Sequence, residues 1–124
     1  MENNHSFKKL EIPLLTELFV IYERVHKIIF SLPKFERYTL GEKIENTTLS
    51  AMELTIMANC ANKLDKEKLL SQTNTKIELL KILFRLALNC KLIEGPKYLE
   101  MENHLQEAGK QAMNWLKYER GVRY

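Results

Sequence analysis

The sequence has few of the residues that form tight turns. Glycine occurs four times and proline three times among 124 residues. An all-β fold needs many turns, and glycine and proline supply a large share of them. The shortage therefore argues against a β-sheet architecture. It favours a few long helices in a single domain, residues 1–124, which is long enough to bury a modest core.

Cysteines and long apolar runs are also scarce. Only Cys60 and Cys90 are present, and both lie in apolar helical patterns, so we expect two buried, reduced thiols. The first residues, Met-Glu-Asn-Asn-His-Ser, lack the basic start and apolar run of a secretory signal. No apolar stretch reaches the ~18 residues of a membrane span. We therefore expect a cytoplasmic protein with no membrane partner.

Neither sign of charge is in large excess. The chain has 19 Lys and Arg against 16 Asp and Glu, a net charge of +3. A balance this mild does not by itself indicate a nucleic-acid partner. Residues 1–72 contain ten of each sign, whereas residues 73–124 contain nine basic and six acidic residues. The whole excess therefore lies in the C-terminal half.

No catalytic or metal-binding pattern is present. A metal site in a helical bundle uses Glu-x-x-His motifs on two helices, and Glu23-Arg-Val-His26 is a single match. Glu100 and His104 stand four residues apart, as exposed helix pairs do. There is no Gly-rich phosphate loop and no Cys-x-x-Cys. We therefore expect a protein that is not an enzyme and has no resident metal or cofactor.

The spacing of apolar residues predicts four helices. In the first of them, Leu14, Leu18, Ile21, Val25 and Ile28 recur every three or four residues, as one buried helix face requires. Short connections favour antiparallel neighbours, so we expect an all-α, up-down, antiparallel four-helix bundle. The predicted ranges are about 13–31, 40–63, 76–92 and 96–116, followed by a flexible basic tail over 117–124.

Several local signals set these boundaries. Pro33 ends the first helix, and Thr39 with Glu42 fits a capping box that begins the second. Thr75 with Glu78 fits a second capping box, after a charged connection within residues 62–71. Pro96 suits the first turn of the fourth helix. Gly109, inside that helix, predicts a close helix–helix crossing, which would offset its helix penalty of roughly 1 kcal/mol.

The third helix is apolar on nearly all sides. Its polar residues, Glu78, Lys81, Arg85 and Asn89, form one narrow stripe. A helix of this kind is buried on nearly all sides, so we expect a neighbouring subunit to cover it. Lys81 and Arg85 would then face a seam or a central channel and attract phosphates. Alternatively, Arg85 pairs with Glu78, with Glu45 or with a carboxylate of the next subunit.

Between the first two helices, two cations alternate with two aromatics. Lys34, Phe35, Arg37 and Tyr38 follow Pro33 directly. In one interpretation the aromatics lie in the core and the charges are solvated. In the other, the segment is a binding motif.

The order Pro-Lys-x-x-Arg-Tyr-Thr-Leu-Gly, residues 33–41, resembles the entry to helix two in a bacterial four-helix-bundle superfamily. This superfamily includes the accessory variability determinant (Avd) of diversity-generating retroelements and proteins encoded in ribosomal RNA intervening sequences. Residues 78–87 are similar to helix three of Avd, and Gly109, Trp115 and Leu116 continue the resemblance. In all it covers about residues 14–117.

The resemblance implies a barrel-shaped homopentamer that binds a reverse transcriptase and nucleic acid and supports mutagenic cDNA synthesis. The positions that match the family's basic motifs are Lys34, Arg37, Tyr38, Lys81 and Arg85. Five copies would together carry roughly +15, which is enough for salt-sensitive association. The alternative within the superfamily is a structural homo-oligomer of the ribosomal intervening-sequence type with an unknown partner.

Three further basic residues are added to the candidate interface on charge alone. They are Lys117, Arg120 and Arg123, all in the predicted tail.

Overall fold

Four long helices make up the part of the chain that the computed structural model describes, residues 12–121. No strand occurs within this range. The second helix, α2, contains a π-helical turn between two α-helical segments. The helices are α1 (Pro13–Ser31), α2 (Lys34–Glu36, the π-helical turn Arg37–Gly41, and Glu42–Cys60), α3 (Lys63–Asn89) and α4 (Gly95–Arg120).

Each helix packs against the next, and α4 returns to pack against α1. Two-residue connections join α1 to α2 and α2 to α3, and residues 90–94 join α3 to α4. Connections this short make neighbouring helices antiparallel. The described chain is therefore the four-helix bundle that the sequence predicts. No helix within residues 12–121 is long and apolar enough to cross a membrane.

The core runs along the bundle axis and contains side chains from all four helices. Phe84 is the largest of the fully buried side chains. A smaller cluster of Ala58, Leu70 and Leu116 closes the end where α2 meets α3. The buried residues Thr48, Thr55 and Thr73 permit close packing because their hydroxyls donate to carbonyls of their own helix. Thr48, for example, donates to the Ile44 carbonyl at 2.8 Å, so no hydroxyl at this position is left unpaired.

The start of α2 differs from the prediction. Helical structure begins at Lys34 rather than near residue 40. The Thr39 hydroxyl donates to the Phe35 carbonyl at 3.2 Å, so Thr39 lies inside the helix and caps nothing. The predicted Thr39–Glu42 capping box is therefore wrong. The capping pattern and a threonine bonded to the preceding turn have the same sequence signature.

The start of α3 was also predicted too late. The helix begins at Lys63, where the Asn62 side chain caps it by accepting from the Asp65 N–H at 2.9 Å. The charged stretch within residues 62–71 is therefore mostly helix, not a connection. Thr75 donates to the Ser71 carbonyl at 3.2 Å, so the second predicted capping box is wrong as well. The helix ends at Asn89 rather than Leu92.

The fourth helix is longer than predicted, and the basic tail is mostly part of it. Its last turn contains Lys117 and Arg120, and it ends at Gly121 in the left-handed conformation, with φ of 76°. The predicted flexible tail is therefore helical up to Arg120. Residues 122–124 lie outside the described part of the chain.

Both cysteines are exposed, so the predicted buried thiols are wrong. Cys60 is the last residue of α2, and Cys90 directly follows α3. Apolar periodicity continues through both positions. The helices end at these positions, however, and both thiols lie in solvent.

Candidate nucleic-acid interface

Positive charge is concentrated at one end of the bundle. The Arg24–Glu100 and Tyr22–Glu45 contacts show which residues of α1, α2 and α4 lie at the same level along the axis. Residues 24–43 and 81–100, which form the end where α1 meets α2 and α3 meets α4, contain nine Lys and Arg and four Glu. The other described residues contain seven Lys and Arg and ten Asp and Glu. We call residues 24–43 and 81–100 the basic end.

Arg37 is fixed against the C-terminus of α1. Its Nε donates to the Leu32 carbonyl at 2.9 Å, and its Nη2 donates to the Phe30 carbonyl at 3.1 Å. The guanidinium also lies over the Phe30 ring, 5.6 Å from the ring centroid. Carbonyls at a helix C-terminus lack partners within the helix, and a cation is favourable there. Arg37 therefore has a structural role that its place in the loop motif did not reveal.

The other residues of the loop motif lie on the surface. Lys34 is exposed, and Phe35 and Tyr38 are 73% and 68% exposed. The interpretation that placed the two aromatics in the core is therefore wrong. The π-helical turn changes the phase of α2 at this point, so the α-helical spacing of the sequence does not predict which side chains face inward.

Arg85 lies in the last turns of α3, at the basic end. Lys81 is at the limit of this end, and its side chain extends toward the middle of the bundle, where a Cβ on Gly109 would lie 3.7 Å from its Nζ. Lys81 Nζ is 3.1 Å from Glu78 Oε2, so the nearest charge is on its own helix. Arg85 is exposed, and within residues 12–121 no carboxylate lies within ion-pair distance of it. Of the two carboxylates considered for Arg85, Glu78 pairs with Lys81, and Glu45 accepts a hydrogen bond from Tyr22.

The tail residues lie at the opposite end of the bundle. Lys117 and Arg120 are in the last turn of α4, and a helix of this length spans about 39 Å. Arg120 Nε lies 3.8 Å from Glu67 Oε1. The structure thus brings Lys34, Arg37, Tyr38 and Arg85 to the basic end, with Lys81 at its limit, and separates Lys117 and Arg120 from them. Arg123 lies outside the described residues.

Five cations of the basic end were not predicted as site residues because the motifs that indicated the site do not contain them. They are Arg24, Lys27, Lys43, Lys91 and Lys97. Lys91 follows α3 with a φ of 60°, an uncommon backbone conformation for a lysine. Only the pairing of helix ends in three dimensions places these residues beside the predicted ones.

A cleft of about 590 Å³ lies between α1 and the start of α4. Arg24, Lys27 and Lys97 contribute cations to its lining, and Glu23 and Glu94 contribute carboxylates. Arg24 also forms an ion pair with Glu100. Within residues 12–121, no group of three or more His, Cys, Asp or Glu is placed to hold a metal ion.

Hydrogen-bonded or ion-paired contacts between side chains join α1 to its neighbours. Two of these contacts involve Glu100 and His104, whose spacing in the sequence is that of an exposed pair within one helix. Glu100 contacts Arg24, and His104 Nδ1 lies 2.7 Å from Glu17 Oε2, so both α4 residues bind α1 instead of each other. On the other side of α1, the Tyr22 hydroxyl donates to Glu45 Oε2 at 2.7 Å.

The Tyr22–Glu45 contact predicts a pH effect. The hydrogen bond to Glu45, with burial and the negative charge adding to it, raises the pKa of Tyr22 above its usual 10.0. A phenol whose pKa is raised by folding stabilises the protein below pH 10.0, and this contribution is lost as the pH rises through the folded-state pKa. In an ultraviolet titration of tyrosine ionisation, we expect Tyr22→Phe to remove the highest-pH component. An unchanged titration curve would contradict the assignment.

A comparison with the curated proteins finds none that matches this chain. A family model described as bAvd-like matches residues 15–119. The matched span contains almost all of the bundle and every candidate site residue except Arg120 and Arg123. It also contains the segments that carry the resemblance to Avd. The chain therefore belongs to the bAvd-like family.

Proposed function

We propose that this chain is a non-catalytic accessory protein of a diversity-generating retroelement. It would bind the retroelement reverse transcriptase and nucleic acid through the basic end and support mutagenic cDNA synthesis. Membership of the bAvd-like family supports the general assignment. The binding roles rest on the geometry described above.

The observation that carries this proposal is the uneven distribution of charge along the bundle. Nine cations against four carboxylates at one end create a local positive potential that the net charge of +3 conceals. Arg85 lies at this end together with the loop motif, and Lys81 lies at its limit. Cations arranged in this way bind phosphates by releasing counterions, without reading sequence.

The direct test reverses two charges at the basic end. We expect Lys81→Glu with Arg85→Glu to weaken binding of RNA, and of the reverse transcriptase from the same locus, by at least about tenfold at low salt. The matched control is Lys63→Glu with Lys68→Glu. It makes the same change in charge on exposed residues of the same helix, at the opposite end.

Circular dichroism should show the same helix content in both double variants, so that a loss of binding reports on the interface alone. If both double variants weaken binding equally, the loss follows from the change in net charge, and the basic end is not the binding site. If the wild-type protein binds neither probe, the structural oligomer of the ribosomal intervening-sequence type becomes the better assignment.

We also propose that the chain assembles into a ring-shaped homopentamer. In the single chain, the outward face of α3 exposes Leu64, Ile82 and Leu86, at 80%, 59% and 45%. Apolar side chains on one face of a helix are a common interface for a second protein surface. A second copy of this chain would cover them.

Light scattering measures the assembly directly. We expect a mass near five times 14.6 kDa for the wild-type protein, at low and at high salt. Ile82→Lys with Leu86→Glu should lower that mass without loss of helix content, because charged residues would then need to be buried at the interface. A wild-type monomer at both salt concentrations would contradict the ring.

A further inference from the structure

Three aromatic side chains are exposed within nine residues at the basic end. Phe30, in the last turn of α1, is 74% exposed, and Phe35 and Tyr38, at the start of α2, are 73% and 68% exposed. Large aromatic side chains contribute most to stability when they are buried. A cluster of them left in solvent is therefore a candidate binding surface. We call residues 30–38 the aromatic rim.

Cations alternate with the aromatics of this rim. Lys34 precedes Phe35, and Arg37 precedes Tyr38. Arg37 lies over the Phe30 ring and donates to the carbonyls of Phe30 and Leu32. The two hydrogen bonds anchor the guanidinium, and its contact with one face of the Phe30 ring restricts that ring before any ligand binds, which lowers the entropy lost on binding.

We propose that the aromatic rim binds single-stranded nucleic acid by stacking unpaired bases on Phe30, Phe35 and Tyr38. This inference rests on the proposed nucleic-acid function and specifies the kind of nucleic acid and the contacts. Lys34 and the other cations of the basic end neutralise the phosphates. Phe35 and Tyr38 are three residues apart at the start of α2, and both side chains are exposed there.

Alternating aromatics and cations favour a single strand over the other ligands. In a duplex, the base faces are covered by their neighbours, so exposed aromatic rings gain nothing from them. A protein partner is a weaker fit, because lysine is depleted in protein interfaces and most cations of the basic end are lysines. A single strand presents a free base face and a phosphate at every nucleotide, and the rim contains a partner for each.

Binding to three probes of equal length separates stacking from charge. The probes are single-stranded oligouridylate, the same backbone without bases, and an RNA duplex. We expect the wild-type protein to bind the oligouridylate at least about tenfold more tightly than the abasic strand. Phe35→Ala with Tyr38→Ala should remove that difference and leave the affinity for the abasic strand unchanged.

Two further variants control this experiment. Tyr118→Ala removes an aromatic that is 74% exposed at the opposite end, and it should change nothing. Phe35→Tyr keeps an aromatic ring and should preserve the preference for bases. Phe35→Trp provides a direct signal, because stacking of a base should quench the new indole fluorescence on addition of the oligouridylate, but not of the abasic strand.

The outcomes distinguish this inference from the function on which it rests. If the wild-type protein binds the three probes with equal affinity, and Phe35→Ala with Tyr38→Ala leaves these affinities unchanged, base stacking is overturned while electrostatic binding stands. If the wild-type protein binds no probe, the nucleic-acid function itself fails. If Phe35→Ala with Tyr38→Ala abolishes binding of the reverse transcriptase but keeps the preference for the oligouridylate over the abasic strand, the rim is a protein-docking surface and the inference is overturned.

Discussion

Gly41→Val is expected to lower the free energy of unfolding by about 2–3 kcal/mol. Gly41 is buried where the start of α2 crosses the end of α1. A Cβ at this position would lie 3.1 Å from the Glu36 carbonyl oxygen, 3.2 Å from Leu32 Cδ1 and 3.5 Å from Ile29 Cγ2. The carbonyl belongs to the helix backbone and cannot move away independently. Overpacking of this kind costs about 1–3 kcal/mol, and occasionally more.

Urea denaturation followed by circular dichroism measures this loss, and Gly109 provides the control. Gly109 is buried between α3 and α4, but a Cβ there would lie 3.7 Å from Lys81 Nζ and 3.8 Å from Ile77 Cγ2, which are ordinary contacts. The predicted close crossing at Gly109 is therefore not tight enough to exclude a methyl group. Gly109→Ala should raise the free energy of unfolding by about 0.5–1 kcal/mol. Destabilisation by Gly109→Ala, or a neutral Gly41→Val, would contradict this view of the two glycines.

Arg37→Ala is the second substitution with a large expected effect, a loss of about 1–2 kcal/mol in the free energy of unfolding. It removes two charge-assisted hydrogen bonds to the last carbonyls of α1 and the contact with the Phe30 ring. Such bonds contribute about 1.5–3 kcal/mol each when buried. The expected loss is smaller here because the side chain is exposed.

The same denaturation measurement tests Arg37 against its neighbour Lys34. Lys34→Ala removes a cation from the same segment without removing a contact to α1, and it should change the free energy of unfolding by less than about 0.5 kcal/mol. Arg37→Lys should recover only part of the loss, because an ammonium group lacks the planar fork that reaches both carbonyls. Equal effects of Arg37→Ala and Lys34→Ala would contradict the structural role of Arg37.

Helix boundaries were predictable where the local sequence pattern has only one structural interpretation. Pro13 and the apolar spacing that follows it indicated α1 with the bounds that the structure has. The starts of α2 and α3 were predicted too late because a threonine hydroxyl can either cap the start of a helix or donate to a carbonyl of the preceding turn. Thr39 and Thr75 each stand three residues before a glutamate, as in a capping box, yet their hydroxyls donate to carbonyls of the preceding turn. Sequence alone does not distinguish these two uses.

Only part of the candidate site was predictable from motifs: Lys117 and Arg120 lie at the opposite end of the bundle, and several residues of the basic end were missed. Residues 34–38 and the Lys81/Arg85 stripe were identified from motifs, and the structure places both at the basic end, with Lys81 at its limit. Counting charge by halves of the chain put the excess in the C-terminal half. An up-down bundle, however, brings together residues from both halves at each end. Phe30 was missed because it belongs to an apolar helix, and only its 74% exposure separates it from the core residues around it.

The uneven charge gives the described part of the bundle, residues 12–121, an electric dipole moment parallel to its helices. A polyanion would exert a torque on such a dipole before contact is made, so an approaching molecule would turn its positive pole toward the phosphates. In a ring with all subunits pointing the same way, the axial dipoles would add, and one rim of the ring would be strongly positive while the other would be weakly negative. The two rims of such an assembly would differ in electrostatic potential, so nucleic acid would approach and bind the positive rim only.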